Sequence, residues 1–359
     1  MKMKKHALFF WQITLVILPL TGAPVWAFAQ KATAVTGVSI TVENLDREVY
    51  FFTKVLDFQK IKQENLSGEN IARLYGLPEK EASVQVATLQ LGDEQIRLLD
   101  FDYRTDSTSS TISTTSTPSI HFNHQTRGND LWFQHLAIVV SDMDSAYRRL
   151  LDAGVTHVST APQTLPGYLP NAAGIKAFYF RDPEGHNLEL IWFPPGKGNP
   201  KWQPSNQKPS NQKPLFQGID HTAISISDTK QSMVFYRDLL GLTHAGHSEN
   251  YGPEQEHLNQ VFGARLDING LHAAEGFGVE FLRYIAPPGG RRYPAGSQPT
   301  DLWHYQTEFD VDHLDHLLQK LEKEGYVKIS TTTPAIGGKT SVLLRDPDGH
   351  AVLLSGELR

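Results

Sequence analysis

One ten-residue phrase occurs twice in the chain, as RDPEGHNLEL at residues 181–190 and as RDPDGHAVLL at residues 345–354. In both copies, proline, an acidic residue and glycine predict a tight turn between two strands of a hairpin. The histidines that follow the turns, His186 and His350, are expected to fasten the hairpin. The repeated phrase therefore predicts the same local structure at two places.

The two copies differ in chemistry at one position. In the first copy the alternation of the strand NLELIWF places Glu189 on one face with Ile191 and Phe193, while the opposite face is also apolar. A carboxylate in such a strand is costly to bury unless it is paired or bound to a metal. In the second copy Leu353 stands at this position. The first hairpin is therefore the candidate for function.

The sequence around the two hairpins is also repeated. The segment at residues 130–154, DLWFQHLAIVVSDMDSAYRRLLDAG, aligns without a gap with residues 301–325. In the same way, residues 38–58 align with residues 222–242. Internal repeats of this kind indicate repeated structural units. The chain consists of two related halves, and each half consists of two related quarters.

Each quarter follows one plan. An alternating strand such as HLAIVVSD leads into an amphipathic helix such as MDSAYRRLLDAG, which Gly154 is expected to end, and further strands follow. This predicts an α+β fold of four βαβββ modules. The predicted modules are residues 36–103 and 131–195 in the first half (36–195), and residues 216–286 and 301–356 in the second half (216–356).

Two segments lack this pattern. Residues 196–215, between the halves, are rich in proline, glycine and amides, which favours a solvated linker over a packed element. Residues 105–119 are almost entirely serine and threonine and are expected to form a flexible insertion. Neither segment is assigned a function.

The N-terminus has the layout of a secretory signal peptide. Three early lysines precede an apolar stretch at residues 7–20, and Ala27-Phe28-Ala29 forms a cleavage site. Removal of residues 1–29 would take away these three lysines and change the formal charge from −6 to −9. We expect a periplasmic or secreted protein that has no membrane anchor after cleavage. Its acidity disfavours nucleic acid as a partner.

The chain contains no cysteine, so any metal must be held by oxygen or nitrogen ligands. The four modules resemble those of the vicinal oxygen chelate superfamily, which includes glyoxalases, bleomycin-resistance proteins and extradiol dioxygenases. The resemblance rests on the repeated plan and on the RDPxGHxxEL type of hairpin. This resemblance implies two domains with curved mixed sheets around a cleft. It also implies that up to four side chains in a cleft hold a divalent metal.

The residues at the ligand positions that the resemblance implies can bind a metal in some modules but not in others. The first and last strands of each module would supply the ligands, and the two middle modules keep acids and histidines there. The end modules have mostly lost them, with Gly37 and Arg97 in the first module and Leu353 in the fourth. The candidate metal ligands are His135, Glu189, His221, Glu280 and Gln306. Such a set suits Zn, Fe(II), Mn, Ni or Co.

The sequence leaves open which modules pair. If consecutive modules pair, Gln306 joins His221 and Glu280 in one cleft, and His135 and Glu189 lie in the other. If the middle modules pair, as in duplicated glyoxalases of this superfamily, His135, Glu189, His221 and Glu280 share one site and the end modules form an empty one.

The resemblance implies a metal-dependent lyase or isomerase that acts on a small oxygenated substrate, with Glu189 or Glu280 as the catalytic base. Glyoxalase I itself is disfavoured, because its thiol cosubstrate belongs to the cytosol and this chain is expected to be exported. One alternative is a metal-free protein that sequesters small molecules. The other is an extradiol-type dioxygenase, whose two-histidine, one-carboxylate triad would require His135, His221 and Glu189 to meet.

Overall fold

A computed structural model describes residues 31–77, 82–102, 126–203, 213–326, 328–330, 333–334 and 339–358. The predicted signal peptide, the serine- and threonine-rich run and the second part of the linker lie outside these ranges. Among the described residues, no helix combines the length and the apolar character needed to cross a membrane.

The described residues form four modules of mixed helix and strand, which confirms the α+β prediction. The first module contains β1 (Ala32–Thr41), α1 (Leu45–Lys54), β2 (Gln59–Ser67), α2 (Glu69–Tyr75), β3 (Ser83–Leu91) and β4 (Glu94–Phe101). The second contains β5 (Gln134–Val140), α3 (Met143–Asp152), β6 (Thr156–His157), β7 (Gln163–Thr164), β8 (Lys176–Arg181) and β9 (Asn187–Trp192).

The second half repeats this order. The third module contains β10 (Phe216–Ser225), α4 (Thr229–Met233) with a π-helical continuation at Val234–Leu239, β11 (Thr243–Tyr251), α5 (Pro253–Asn259), β12 (Arg265–His272), β13 (Glu275–Gly276) and β14 (Gly278–Ala286). The fourth contains β15 (Tyr305–Val311), α6 (Leu314–Lys323), β16 (Thr333–Pro334), β17 (Thr340–Arg345) and β18 (Ala351–Gly356). The short helices α2 and α5 are additions to the predicted βαβββ plan.

The middle modules share one sheet and the end modules share another. The middle sheet has the order β11-β12-β14-β10-β5-β9-β8-β6, and β7 pairs with β8. The end sheet has the order β16-β17-β18-β15-β1-β4-β3-β2, and β13 pairs with β1. The first strands of the paired modules run antiparallel, β10 beside β5 and β1 beside β15. Of the two arrangements that the sequence left open, the described strands adopt the middle pairing.

The alternation of the strands separates a core face from a cleft face. On β5, Leu136 and Ile138 point into the largest apolar core, while His135 and Ala137 point to the other side of the sheet. The same core contains Ile40 of the end sheet, so it joins the two sheets. The cleft face of the middle sheet is therefore free to carry polar side chains.

The helices α1 and α3 begin at capping side chains, and Gly154 stands at the end of α3 as predicted. Asp142 accepts a hydrogen bond from the backbone N–H of Ser145 at 2.7 Å and caps α3. At the other end Gly154, at φ 71°, follows the helix. The equivalent cap of α1 is Asn44, which accepts from the N–H of Arg47 at 2.9 Å.

The turns of the repeated phrase are held by aspartate and histidine. In the first copy Asp182 Oδ1 accepts hydrogen bonds from the N–H groups of Gly185 at 2.8 Å and His186 at 2.9 Å. Asp182 Oδ2 lies 2.7 Å from His186 Nδ1. In the second copy the corresponding distance from Asp346 Oδ2 to His350 Nδ1 is 2.9 Å. The prediction that these histidines fasten the hairpins is confirmed.

The first of these turns also joins the two sheets. His186 Nε2 lies 3.0 Å from the carbonyl oxygen of Thr41 and 2.9 Å from that of Leu302, both beside strands of the end sheet. Both ring nitrogens thus face oxygen acceptors, which requires the doubly protonated imidazolium. Burial lowers the pKa of His186, but the Asp182 carboxylate outweighs this and raises it overall. Glu184 adds a second link by accepting from the N–H of Asn44 at 2.8 Å.

The first part of the predicted linker is packed, contrary to the expectation of a solvated segment. A 3₁₀ turn at Pro200–Trp202 places the Trp202 indole against Gly218 at the start of β10, and only 9% of Trp202 is exposed. The linker was predicted to be solvated because most of its residues are polar, but Trp202 anchors it to the sheet. Burial of this side chain stabilises the folded state by about 2 kcal/mol or more.

Gly276 allows a strand of the third module to reach the end sheet, and this contact can be tested. At Gly276, which has φ 87°, a Cβ would lie 1.9 Å from the carbonyl oxygen of Val35 on β1. At Gly263, which has φ 71°, a Cβ would meet nothing within 4 Å. Both alanine variants carry backbone strain. We expect Gly276→Ala to cost about 1 kcal/mol or more beyond Gly263→Ala in urea unfolding; equal losses would contradict the close approach.

Candidate metal centre

Four neighbouring strands of the middle sheet, β14-β10-β5-β9, bring the four predicted ligands of the middle modules together. On these strands Ala223 of β10 is the register partner of both Glu280 and His135, and Ala137 of β5 is the partner of Glu189. His221 also lies on β10. The four side chains therefore converge at the centre of the cleft face.

The distances within this group are short. His135 Nε2 lies 3.0 Å from Glu189 Oε2, and His221 Nε2 lies 3.5 Å from the same oxygen. Glu280 Oε2 lies 3.5 Å from His221 Nε2. One ligand atom from each of His135, Glu189 and His221 lies within 4.8 Å of the others. Ligand atoms that each bind one ion at about 2 Å are separated from one another by distances like those given above.

Three of the four imidazole nitrogens of this group are buried and make no hydrogen bond among the described residues. His135 is 0% exposed, and neither of its ring nitrogens makes a hydrogen bond among the described residues. His221 Nε2 likewise has none in that part of the chain. Buried polar atoms are normally satisfied. A cation between these nitrogens and Glu189 would satisfy them, so the residues present fit a divalent metal.

The charges of the group are strongly coupled. Burial raises the pKa of Glu189, but the two imidazoles outweigh it and lower the pKa to about 2. Burial raises the pKa of Glu280 to about 7, and nearby Glu189 adds to this. Burial lowers the pKa of His221, but Glu280, Asp220 and Glu189 together raise it well above its usual value. A metal that binds here must displace the proton of His221.

Aromatic side chains close one side of the group. Tyr179 of β8 is the register partner of Glu189, and its ring centroid lies 4.8 Å from that of His135. The Phe133 ring lies 5.7 Å from the His135 ring. Both rings are buried. Sequence reasoning did not single out Tyr179, although the alternation of KAFYF places it on the cleft face.

Gln306, the fifth predicted ligand, is not part of this group. It lies on β15 in the end sheet, where its Oε1 is 3.1 Å from His304 Nε2 and its Nε2 donates to Glu308 at 3.2 Å. Its inclusion depended on pairing of the third and fourth modules, and the strands pair otherwise. The prediction that Gln306 shares a site with His221 and Glu280 is therefore corrected.

The matching position in the end sheet is occupied by an internal ion pair. Ser39 of β1 is the register partner of Arg97 and Gln306, as Ala223 is of Glu280 and His135. Arg97 forms a salt bridge with Glu308, which raises the pKa of the guanidinium. A cavity of about 240 Å³ adjoins this pair and Leu353. Among the described residues, the group able to hold a metal lies in the middle sheet.

Comparison with known proteins supports one family. The family description "Glyoxalase/Bleomycin resistance protein/Dioxygenase superfamily" matches residues 34–190 and 218–354. The crystal structure of glyoxalase I from Zea mays has a TM-score of 0.56 at 15% sequence identity, over 91% of this chain and 92% of that chain. At this identity the likeness concerns the fold.

Two curated proteins match over shorter stretches. "Glutathione transferase FosA" from Serratia marcescens is 27% identical over 140 residues, which is 39% of this chain and 81% of that protein. A "2-epi-5-epi-valiolone epimerase" from Actinomyces sp. is 29% identical over 167 residues, which is 46% of this chain and 82% of that protein. With the family match over most of the sequence and the shared fold, the chain belongs to the Glyoxalase/Bleomycin resistance protein/Dioxygenase superfamily.

Proposed function

We propose that the protein is a divalent-metal-dependent enzyme that acts as a lyase or isomerase on a small oxygenated substrate. The observation that carries this proposal is the convergence of His135, Glu189 and His221, with three buried imidazole nitrogens that make no hydrogen bond among the described residues. Apolar residues alone would fill such a position at lower cost. The similarity to an epimerase supports the reaction class.

The ligand set favours a metal of intermediate hardness, with Zn, Fe(II), Mn, Ni and Co as candidates. When bound, such a cation would stabilise the negative charge that develops on a substrate oxygen. Glu189 would act as a fixed ligand, because it is 4% exposed and both histidines hold it. His135 and His221 would complete the protein side of the site.

Glu280 is the better candidate for the catalytic base. It lies 3.5 Å from His221 Nε2 but outside the group His135, Glu189 and His221, and 26% of its side chain is exposed, against 5% for Glu189. A carboxylate at the open edge can take a proton from a substrate carbon and return it to a neighbouring atom. This assigns the two predicted catalytic carboxylates different roles: Glu189 holds the metal and Glu280 moves the proton.

A second candidate is an extradiol-type dioxygenase. The group that lies within mutual reach consists of two histidines and one carboxylate, His135, His221 and Glu189, which is the set typical of non-heme Fe(II) oxygenases. In that reaction Glu280 would not be needed to move a proton at a substrate carbon. The two candidates therefore differ in what they require of Glu280.

Replacement of Glu280 separates the two candidates. For a lyase or isomerase, we expect Glu280→Gln to retain metal and to exchange a substrate C–H for deuterium about 10²- to 10⁴-fold more slowly. The measurement is proton NMR in D₂O with a panel of small hydroxy- and oxo-compounds. Glu275→Gln is the matched control, because Glu275 is an exposed glutamate of the same module.

The competing outcomes are distinct. Oxygen uptake with catechols by the Fe(II)-loaded protein, unaffected by Glu280→Gln, would favour the dioxygenase. A wild-type protein that is purified without chelator and contains no stoichiometric transition metal would contradict both enzymes and favour a sequestering protein.

A further inference from the structure

Asp220 stands directly before His221 on β10 and contacts its imidazole. Asp220 Oδ2 lies 3.0 Å from His221 Nδ1. Neighbouring residues of a regular strand point to opposite faces and do not meet in this way. Between Ile219 and His221, however, the pairing of β10 with β5 shifts by one residue. This bulge brings the two side chains together.

The contact decides how the His221 ring is oriented. Asp220 accepts the proton of Nδ1, which leaves Nε2 as the nitrogen that faces Glu189 and Glu280, each at 3.5 Å. Nε2 has no hydrogen-bond partner among the described residues. A carboxylate that holds the distant nitrogen of a metal-binding histidine fixes its tautomer and its ring orientation. The aspartate thus prepares His221 for a metal on the other side of the ring.

Asp220 is itself held by the segment that leaves the second module. The indole N–H of Trp202 donates to Asp220 Oδ1 at 2.5 Å. The ammonium of Lys201 lies 4.2 Å from the centroid of the Trp202 ring and forms a salt bridge with Glu94 of the end sheet. Glu94 Oε2 also accepts from the N–H of Ile219 at 3.1 Å. The bulge is therefore supported from two sides.

His135 has no comparable support. Its Nδ1 makes no hydrogen bond among the described residues, and its ring rests against Tyr179 instead. Packing orients His135, whereas a charged hydrogen-bond chain orients His221. Loss of Asp220 should therefore affect one imidazole and leave the other in place.

We propose that Asp220 and Trp202 are positioning residues of the metal centre, with Asp220 orienting His221 and Trp202 orienting Asp220. This inference rests on the proposed function, since it assigns the two residues to the same metal. It also makes the 3₁₀ turn at Pro200–Trp202 part of the site. Both residues would act through His221, because Asp220 contacts the His221 ring and Trp202 contacts Asp220.

Titration of the metal-free full chain with Co²⁺ tests the proposal. We expect Asp220→Ala to weaken Co²⁺ binding about 10- to 100-fold and to alter the visible absorption of the bound ion. Asp220→Asn keeps an acceptor oxygen for Nδ1 without the charge, so its Co²⁺ affinity should fall less than that of Asp220→Ala. Trp202→Phe keeps the aromatic packing without the N–H. Its Co²⁺ affinity should lie between that of Asp220→Asn and that of wild type.

Trp303→Phe is the matched control, because the Trp303 side chain is also buried and its indole N–H donates to Ser297 Oγ at 3.2 Å, with no contact to Asp220 or His221 among the described residues. Its Co²⁺ affinity should equal that of wild type. The melting temperature of each metal-free variant separates a loss of fold from a loss of orientation. Wild-type binding by Asp220→Ala, within about twofold, would overturn this inference alone. A wild type that takes up no Co²⁺ would overturn the proposed metal site and this inference with it.

Discussion

A Glu189→Gln variant is expected to purify without stoichiometric divalent metal, which we expect the wild type to retain. Glu189 is the carboxylate that lies close to both imidazoles, at 3.0 Å from His135 Nε2 and 3.5 Å from His221 Nε2. Glutamine keeps the shape of the side chain but removes its charge. Since even outer-sphere partners change metal affinity about 10- to 100-fold, loss of this carboxylate should cost about 100-fold or more. Metal analysis and Co²⁺ titration measure the effect.

Gln306→Ala is the control for this prediction. Gln306 lies in the end sheet and contacts His304 and Glu308 there, so its loss should leave metal content unchanged. Loss of metal from Gln306→Ala, or full retention by Glu189→Gln, would show that the ion is held elsewhere. The pair of variants thus tests both the ligand and the module pairing on which the site depends.

The fold could be predicted from the sequence because its information is local and repeated. The alternation of HLAIVV, the capping aspartate of α3 and the DPxG turns each indicate the structure of a short segment. Because the same plan occurs in four modules, the modules support one another as evidence for the fold. The pairing of modules could not be predicted in this way. It depends on contacts between distant strands, such as β10 with β5, that leave no periodic pattern in either strand.

The site was predictable to the extent that it follows the repeat. His135, Glu189, His221 and Glu280 occupy matching positions, and the structure brings them together. The contrast between Glu189 and Leu353 pointed to the first hairpin, whose strands lie in the middle sheet. The role of His135, Glu189 and His221 as ligands stays a prediction that the metal measurements test, and the role of Glu280 is tested by its glutamine variant.

The residues that were missed depend on irregular structure. A bulge aligns Asp220 with His221, and strict alternation would have placed them on opposite faces. Trp202 lies in a segment whose composition predicted a linker. Gln306 was included because its position in the fourth module matches that of His135, and only the strand order separates the two.

Glu48 is a buried acid whose replacement should stabilise the protein. It lies on the apolar face of α1 with Leu45, Phe51 and Phe52, and it is 0% exposed. Its spacing from these residues could have revealed the burial from sequence alone. Neither carboxyl oxygen has a hydrogen-bond partner by distance and angle among the described residues. Arg47 Nε lies 3.7 Å from Oε1 and opposes the shift, but burial, with Asp182 and Glu184 adding to it, outweighs Arg47 and raises the pKa of Glu48 from 4.5 to about 10.

This pKa determines how stability changes with pH. The folded protein keeps the Glu48 proton up to about pH 10, whereas the unfolded chain releases it above pH 4.5. The folded state therefore loses stability by about 1.4 kcal/mol for each pH unit between these values. At pH 7 the cost is about 3 kcal/mol, and Glu48→Gln, which is neutral at all pH values, should recover most of it. Below pH 4.5 the variant and the wild type should be equally stable.

Asp46→Asn is the matched control, because Asp46 is an exposed acid in the first turn of the same helix. It should destabilise slightly, by about 0.5 kcal/mol, through loss of a favourable charge near the helix N-terminus. Urea unfolding at pH 4.5, 7 and 8.5 distinguishes the two variants. If Glu48→Gln is less stable than wild type at pH 7, Glu48 is ionised in the folded protein, and Arg47 then compensates its charge. A gain that grows from pH 4.5 to 8.5 instead identifies a protonated acid at the contact between α1 and the turn.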